Sequence, residues 1–327
     1  MSGADTQAGA AQVDTRVDTQ VGAADVDTRA DTRADTRAGA ADIDAAQARF
    51  WNEIAGPLWV TAHDEMELHT GPFGEAAMER AAPVSGERVL DVGCGCGTTT
   101  IALARAVGPG GSVLGMDLSG PMLERAAADA ADAGLAQATF ERRDAGHGGF
   151  GGRPFDLVFS RFGVMFFGDP AGAFATIRAG MAPSGRLVFV CWQQPSTNPW
   201  MTLPNRAALA HFRMDPPAPA GPGAADGGPG PFALADPDRV HYLLASAGFG
   251  GIEVAPVTRD VVMAADGDLS HWAEQRLLMG PARDRYLACG EAERSAARTA
   301  LVDGVAGGTA AGPLVLPAAA WVVSARP

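Results

Sequence analysis

Between Arg88 and Trp192 short apolar runs alternate with longer stretches in which apolar residues recur every three or four positions. The runs predict strands near 88–92, 112–117, 138–142, 155–160 and 186–191, and the periodic stretches predict helices near 98–107, 121–133 and 171–181. Apolar strands separated by helices are buried under helices on both faces, so an α/β fold with a mostly parallel sheet is expected. The punctuation agrees: Ser119 can cap the helix that Pro121 opens, and Gly134 can end it. Pro183-Ser184-Gly185 reads as a turn before the fifth strand. Farther on, Asp236-Pro237-Asp238 opens a helix that Gly248 stops, residues 252–257 read as a strand, 270–306 as further helix, and Trp321-Val322-Val323-Ser324 as a last strand.

The flanking segments follow other patterns. Residues 1–42 repeat the tetrads VDTR, VDTQ, VDTR, ADTR and ADTR between Val13 and Arg37, with no aromatic residue. Such a leader buries too little apolar surface to offset its chain entropy, and disorder is expected. Residues 43–82 carry Phe50, Trp51, Ile54, Trp59, Met66, Leu68 and Phe73 among polar residues, which predicts a helical cap broken at Gly56-Pro57 and Gly71-Pro72. Residues 83–327 then form the main domain, with insertions at about 192–235 and 265–315. The Pro/Gly-rich stretch from Pro216 to Pro231 has no hydrophobic period and reads as a mobile, lid-like loop after strand five.

Composition narrows the chemistry. At 327 residues and 47% apolar, the chain can hold one large domain plus a small cap. A net charge of −13 without any basic block disfavours a nucleic-acid partner. All 25 basic residues are arginine. The lack of lysine excludes a Walker-type phosphate loop, Schiff-base or pyridoxal chemistry, and the Tyr-Lys pair of short-chain dehydrogenases. Four cysteines in a chain this long form no disulfide framework, and Cys94 and Cys96 read as small turn-lining residues without metal-ligand spacing. No apolar signal core or membrane-length apolar run occurs, so a cytoplasmic protein is expected, without a membrane partner and as a monomer or homodimer.

The most specific signal is Val89-Leu90-Asp91-Val92-Gly93-Cys94-Gly95-Cys96-Gly97, a strand and a glycine turn running directly into a helix. A turn bare of side chains lets a ligand lie against backbone. Twenty residues beyond Gly97, Asp117 ends the next strand, where an acid can hold the hydroxyls of a ribose. An acid inside the glycine motif would repel a pyrophosphate but suits an ammonium group, which favours S-adenosylmethionine over a dinucleotide. The motif resembles the first motif of class I S-adenosylmethionine-dependent methyltransferases. The resemblance extends over roughly 45–327: Asp144 after strand three, Ser160-Arg161-Phe162-Gly163 after strand four, and Leu187–Val190 after a turn similar to LxPGG.

That resemblance implies a Rossmann-like seven-stranded sheet with helices on both faces. It implies S-adenosylmethionine as cofactor, held by Asp91, Gly93, Gly95, Gly97, Asp117, Leu118, Met122, Asp144, Ala145 and Ser160, with Asp144 toward the adenine amino group. It implies methyl transfer to a small molecule, on oxygen, nitrogen or carbon, by in-line displacement in a water-excluding pocket. Base-modifying amino-methyltransferases carry a Pro-Pro-aromatic sequence where this chain has Arg161-Phe162-Gly163. No metal is implied. The acceptor pocket is expected between the cap and the 191–211 segment, lined by Trp59, His63, Arg161, Trp192 and Trp200; His63, Arg161 and His211 are the catalytic candidates, with His69 and His271 as further possible bases. Two other readings stay open: a fold relative that catalyses cyclisation or rearrangement without moving methyl, and a non-catalytic cofactor-binding protein.

Overall fold

The computed structural model describes residues 42–216, 228–263, 269–306 and 314–327. The predicted leader, the centre of the Pro/Gly-rich stretch and parts of the 265–315 insertion lie outside the described residues. The body from Asp42 onward is one compact unit. It opens with α1 (42–49), a π-helical turn Phe50–Ala55, α2 (Gly56–Thr61) and α3 (His63–Ala81). Strand–helix alternation follows: β1 (Arg88–Val92), α4 (Thr98–Val107), β2 (Ser112–Asp117), α5 (Gly120–Asp132), β3 (Ala138–Arg142), β4 (Phe155–Arg161), α6 (Pro170–Ala179) and β5 (Met181–Trp192). The rest is α7 (Pro199–Phe212), α8 (Pro237–Ser246), β6 (Gly250–Val262), α9 (Leu269–Met279), α10 (Arg283–Leu287), α11 (Glu291–Ala306) and β7 (Val315–Arg326).

The sheet has seven strands in the order β3-β2-β1-β4-β5-β7-β6. β1 to β5 run parallel; β7 is antiparallel to both of its neighbours. The order reverses between β1 and β4, so the cleft at their carboxyl ends is the topological switch point, where α/β sheets take their ligands. Because β1-α4-β2 and β4-α6-β5 cross in opposite directions, right-handed connections place α4 and α6 on opposite faces. The core is carried by the central strands: Val89, Leu90, Leu157, Val158, Phe159, Leu187 and Phe189 are all buried. Ser119 accepts from the amide of Met122 and caps α5, and Gly134 ends that helix at φ +69°. Among the described residues no helix is long and apolar enough to cross a membrane.

Three local expectations differ. α3 runs unbroken through Gly71-Pro72. Gly71 has no Cβ for the proline ring to strike, and Phe73, Ala77 and Ala81 are fully buried, so packing outweighs the lost hydrogen bond. Pro183-Ser184-Gly185 is not a turn before β5 but a bulge within it: Phe155 pairs with Met181, yet Leu157 pairs with Arg186. β6 and β7 run well beyond 252–257 and 321–324, because β6 is an exposed edge strand and its burial gives no clean period.

Candidate functional site

Every strand end at the switch point contributes to one cavity of about 280 Å³. The turn after β1 supplies Gly93, Cys94, Gly95 and Cys96, and β2 supplies Asp117 with Leu118. Asp144 and Ala145 follow β3, while Arg161 and Phe162 close β4. The cap covers these strand ends. On α3, His63, Met66, Glu67 and Thr70 all face the cavity, a stripe at helical spacing i, i+3, i+4, i+7.

Asp117 is the best prepared polar group. Its Oδ2 accepts from the amide of Gly95 at 2.8 Å and its Oδ1 from the amide of Ser119 at 2.9 Å. Each oxygen retains a lone pair for a ligand hydroxyl. Burial raises the Asp117 carboxyl above its ordinary range, against the pull of the Ser119 and Gly95 amides. Asp144 accepts from the amide of Gly146 at 2.7 Å and lies beside Asp44, which α1 brings to the same end of the cavity. His147, exposed, lies 3.2 Å from Asp144 and 3.6 Å from Asp44.

Asp91 stands one layer behind the cavity. It is fully buried, and its Oδ2 accepts from the hydroxyls of Thr99 and Thr100, both at 2.7 Å. This side chain fastens the first turn of α4 to β1. Its Oδ1 has no hydrogen-bond partner among the described residues, and burial pushes the carboxyl up to about 6. The unfolded chain releases this proton near pH 4, while the folded chain keeps it until about pH 6. This group's contribution to stability therefore falls as pH rises through that window and stays low above it. A difference of about two pKa units corresponds to roughly 3 kcal/mol. Asp91→Asn should remove the slope, so its stability relative to the native chain rises from pH 4 to 7 in denaturant titrations. Parallel curves would contradict this.

The glycines of the turn have separate reasons. A Cβ on Gly93 would lie 2.6 Å from Cα of Gly163, and one on Gly97 would lie 2.6 Å from Cβ of Ala126. These two positions are glycine because protein backbone or a neighbouring helix occupies the space. At Gly95, by contrast, a Cβ would meet only the terminal methyl of Met122, itself a cavity residue. Cys94 and Cys96 line the cavity as thiols raised by burial, Cys96 to about 12.

Beyond the turn the cavity becomes aromatic and sulfur-rich, with Trp59, Met66, Phe162, Trp192, Trp200, Met201 and Met279. Phe162 holds φ +63°, which is uncommon for a bulky residue, and its ring stacks on Trp192 with centroids 3.9 Å apart. Arg161 forms a two-pronged ion pair with Glu67, at 2.7 and 2.5 Å, and Gly74 leaves room for its stem. Burial opposes the charge on Glu67, but the hydrogen bonds from Arg161 hold its carboxyl below the usual range.

Trp59, His63, Arg161, Trp192 and Trp200 thus meet at one cavity with Gly93, Gly95, Asp117, Leu118, Met122, Asp144 and Ala145. Asp91, Gly97, Ser160 and His211 are not on its wall. Ser160 is buried, donating to the carbonyl of Val92 at 2.7 Å, so it ties the β4 turn to β1. His211 packs edge-on against Phe212 near the end of α7. His69 is also buried and backs the wall: its Nε2 lies 3.0 Å from the Val262 carbonyl, and burial lowers its pKa to about 3, so it stays neutral. Asp44, Glu67, Thr70, Arg276 and Met279 also line the cavity and were not among the expected site residues, while Met66 and Phe162 were expected only as members of the cap and of the segment after strand four. The α3 stripe was detectable as a helical period; Arg276 and Met279, on α9, come from too far along the chain to leave any local signal.

A family model described as a methyltransferase domain matches residues 89–185. Aklanonic acid methyltransferase of Streptomyces sp. strain C5 is 38% identical over 118 residues, 36% of this chain and 54% of that protein. The chain therefore spans about half the length of that relative. Nocamycin O-methyltransferase of Saccharothrix syringae is 31% identical over 198 residues, 59% of this chain and 69% of that protein. Among solved structures, a Bacillus halodurans C-125 protein assigned as a methyltransferase superposes with a TM-score of 0.51 at 17% identity, over 77% of this chain and 97% of that one. That likeness establishes the fold.

Proposed function

The chain belongs to the class I S-adenosylmethionine-dependent methyltransferases, and on that premise we propose that it methylates a small, largely apolar molecule held in the aromatic chamber beyond the glycine turn. One observation carries the reading. One cavity wall joins the carboxylates Asp117 and Asp144 and the glycine turn, with Asp117 on the Gly95 amide, to an apolar set that includes Trp59, Met66, Trp192 and Met279. The first suits a nucleoside with an amino-acid tail, and the second suits an acceptor. Two relatives act, by their names, on aklanonic acid and in nocamycin O-methylation. A planar, oxygen-bearing natural product is the acceptor class we infer.

The residues fit the cofactor. Asp117 retains acceptor capacity for two ribose hydroxyls, Asp144 for the adenine amino group, and Gly95 leaves the backbone open. When bound, S-adenosylmethionine supplies an electrophilic methyl group. The chain's task is then to hold the acceptor and exclude water, an effect worth roughly 7–11 kcal/mol. Trp59, Trp192 and Met66 wall the chamber, and Arg161, clamped by Glu67, braces α3 against β4. His63, on the same α3 face as Glu67, is positioned to take a proton from an acceptor hydroxyl.

The experiment is S-adenosylhomocysteine release with a panel of planar phenols and aromatic acids. An aromatic wall residue contributes about 0.5–2 kcal/mol. Trp59→Ala should therefore lower acceptor kcat/KM by roughly 2- to 30-fold, with cofactor affinity nearly unchanged. Full turnover in that variant would move the chamber elsewhere. Trp200 discriminates less well, because it is 4% exposed, stands edge-on to Trp192 and donates to Asn198. Its loss should cost the fold about 3–5 kcal/mol. The alternative of a reaction without methyl transfer predicts acceptor conversion with no S-adenosylhomocysteine formed.

A further inference from the structure

Three arginines reach the cavity wall, and their donors are satisfied to different degrees. Arg161 is engaged by both oxygens of Glu67. Arg143 also has a buried Nε without a partner among the described residues, but its Nη1 donates to the carbonyls of Gly148 and Gly149 at 3.0 and 2.9 Å, and its Nη2 pairs with Glu141 at 2.5 Å. Arg276, on α9, is buried to a similar extent as Arg161, with 13% of its side chain exposed against 14%. Its contacts are much poorer. Nη2 lies 3.4 Å from Oε1 of Glu65 and 3.6 Å from the sulfur of Met66, and Nε has no hydrogen-bond partner among the described residues. Charge-assisted N–H···O bonds are normally about 2.7–2.9 Å. A guanidinium removed from water with its fork unfilled is costly. It is also shaped to receive a planar anion through two parallel hydrogen bonds.

The surroundings say what kind of molecule would carry that anion. Met66, Trp200, Met201 and Met279 line the same chamber, so the partner of Arg276 is attached to an apolar body. His69, which backs this wall, is neutral and brings no charge. We propose that Arg276 binds a carboxylate of the acceptor and selects acidic, planar acceptors over neutral ones, with Glu65 occupying the guanidinium until such an acceptor arrives. The proposal rests on the methyl-transfer reading of the same cavity.

The test uses the full chain saturated with S-adenosylhomocysteine at pH 7.5, with 2-naphthoate and its neutral analogue 2-naphthamide as probes, binding being followed by fluorescence. Two charge-assisted hydrogen bonds should make the acid bind about 10- to 150-fold more tightly than the amide. Arg276→Gln should abolish that preference while leaving S-adenosylhomocysteine affinity within about two-fold, measured by calorimetry. Glu65→Gln, which removes the competing carboxylate and keeps the arginine, should tighten the acid alone. Equal binding of acid and amide to the native chain, or no binding of either, overturns the proposal. So does a preference that survives Arg276→Gln, or an unchanged acid affinity in Glu65→Gln. A loss of S-adenosylhomocysteine affinity in Arg276→Gln would assign the residue to the cofactor's own carboxylate and likewise overturn it. If the native chain binds no S-adenosylhomocysteine at all, the cofactor reading fails first, and that result is seen before any probe is added.

Discussion

Asp117→Ala is expected to weaken S-adenosylmethionine binding about 10- to 150-fold in a protein that still folds. The side chain lines the cavity, and each of its oxygens already accepts one backbone amide, from Gly95 and from Ser119. On the proposed placement of the cofactor, removing it deletes the acceptor for the ribose hydroxyls; it also releases the Gly95 amide. Loss of charge-assisted hydrogen bonds of this kind costs about 1.5–3 kcal/mol. Asp117→Asn keeps one acceptor and should fall between alanine and the native residue. Calorimetry with S-adenosylhomocysteine reads both effects. Native affinity in a folded Asp117→Ala protein would remove Asp117 from the site.

The second large effect is expected on stability. Gly93→Ala puts a methyl group 2.6 Å from Cα of Gly163, and does so at φ +65°. The left-handed backbone costs an alanine about 1–2 kcal/mol, and forcing two backbone turns apart adds roughly 1–3 kcal/mol. At about 2–4 °C per kcal/mol, the melting temperature should drop by on the order of 10 °C. Gly95→Ala is the contrasting case. At φ +56° the alanine bears the same backbone cost, but its Cβ meets only the mobile end of Met122, so stability should change less, while the displaced Met122 methyl enters the cavity and weakens cofactor binding. Scanning fluorimetry and calorimetry on the pair separate the two roles. A Gly93→Ala protein that melts within about 2 °C of the native one would show that the Gly93–Gly163 crossing is not tight.

These glycines show how far the sequence could be read. Alternating apolar runs and helical periods were enough for β1, β2 and β4 and for α4 to α6, because those elements bury the apolar positions their patterns mark, and β3, with no buried residue, was legible from its place in the strand–helix alternation. The glycine turn and Asp117 were also legible, since strand, turn and acid lie within one unit of local sequence. What the turn's glycines accommodate was not. Gly93 and Gly97 face Gly163 and Ala126, residues from other loops and helices, and no local pattern records such a crossing. Asp91 and Ser160 read as ligand contacts but are buried braces, for Thr99 and Thr100 and for the Val92 carbonyl. The π-helical turn, the unbroken α3 and the bulge in β5 are cases in which packing overrode local signals from proline and glycine. The chamber wall from α9 depends wholly on tertiary packing, and Arg276 was therefore invisible until the fold was known.

In the proposed reading, one cavity holds the cofactor beside Asp117 and Asp144 and aims the methyl group at the aromatic wall. A crystal structure with S-adenosylhomocysteine tests this most directly. The expected result is the adenine beside Asp144 and Ala145, the ribose hydroxyls on Asp117, the homocysteine tail along Gly93 to Gly95, and the sulfur facing the chamber of Met66, Trp59 and Arg276. S-adenosylhomocysteine bound elsewhere, or with its ribose away from Asp117 and its sulfur turned from that chamber, would contradict it.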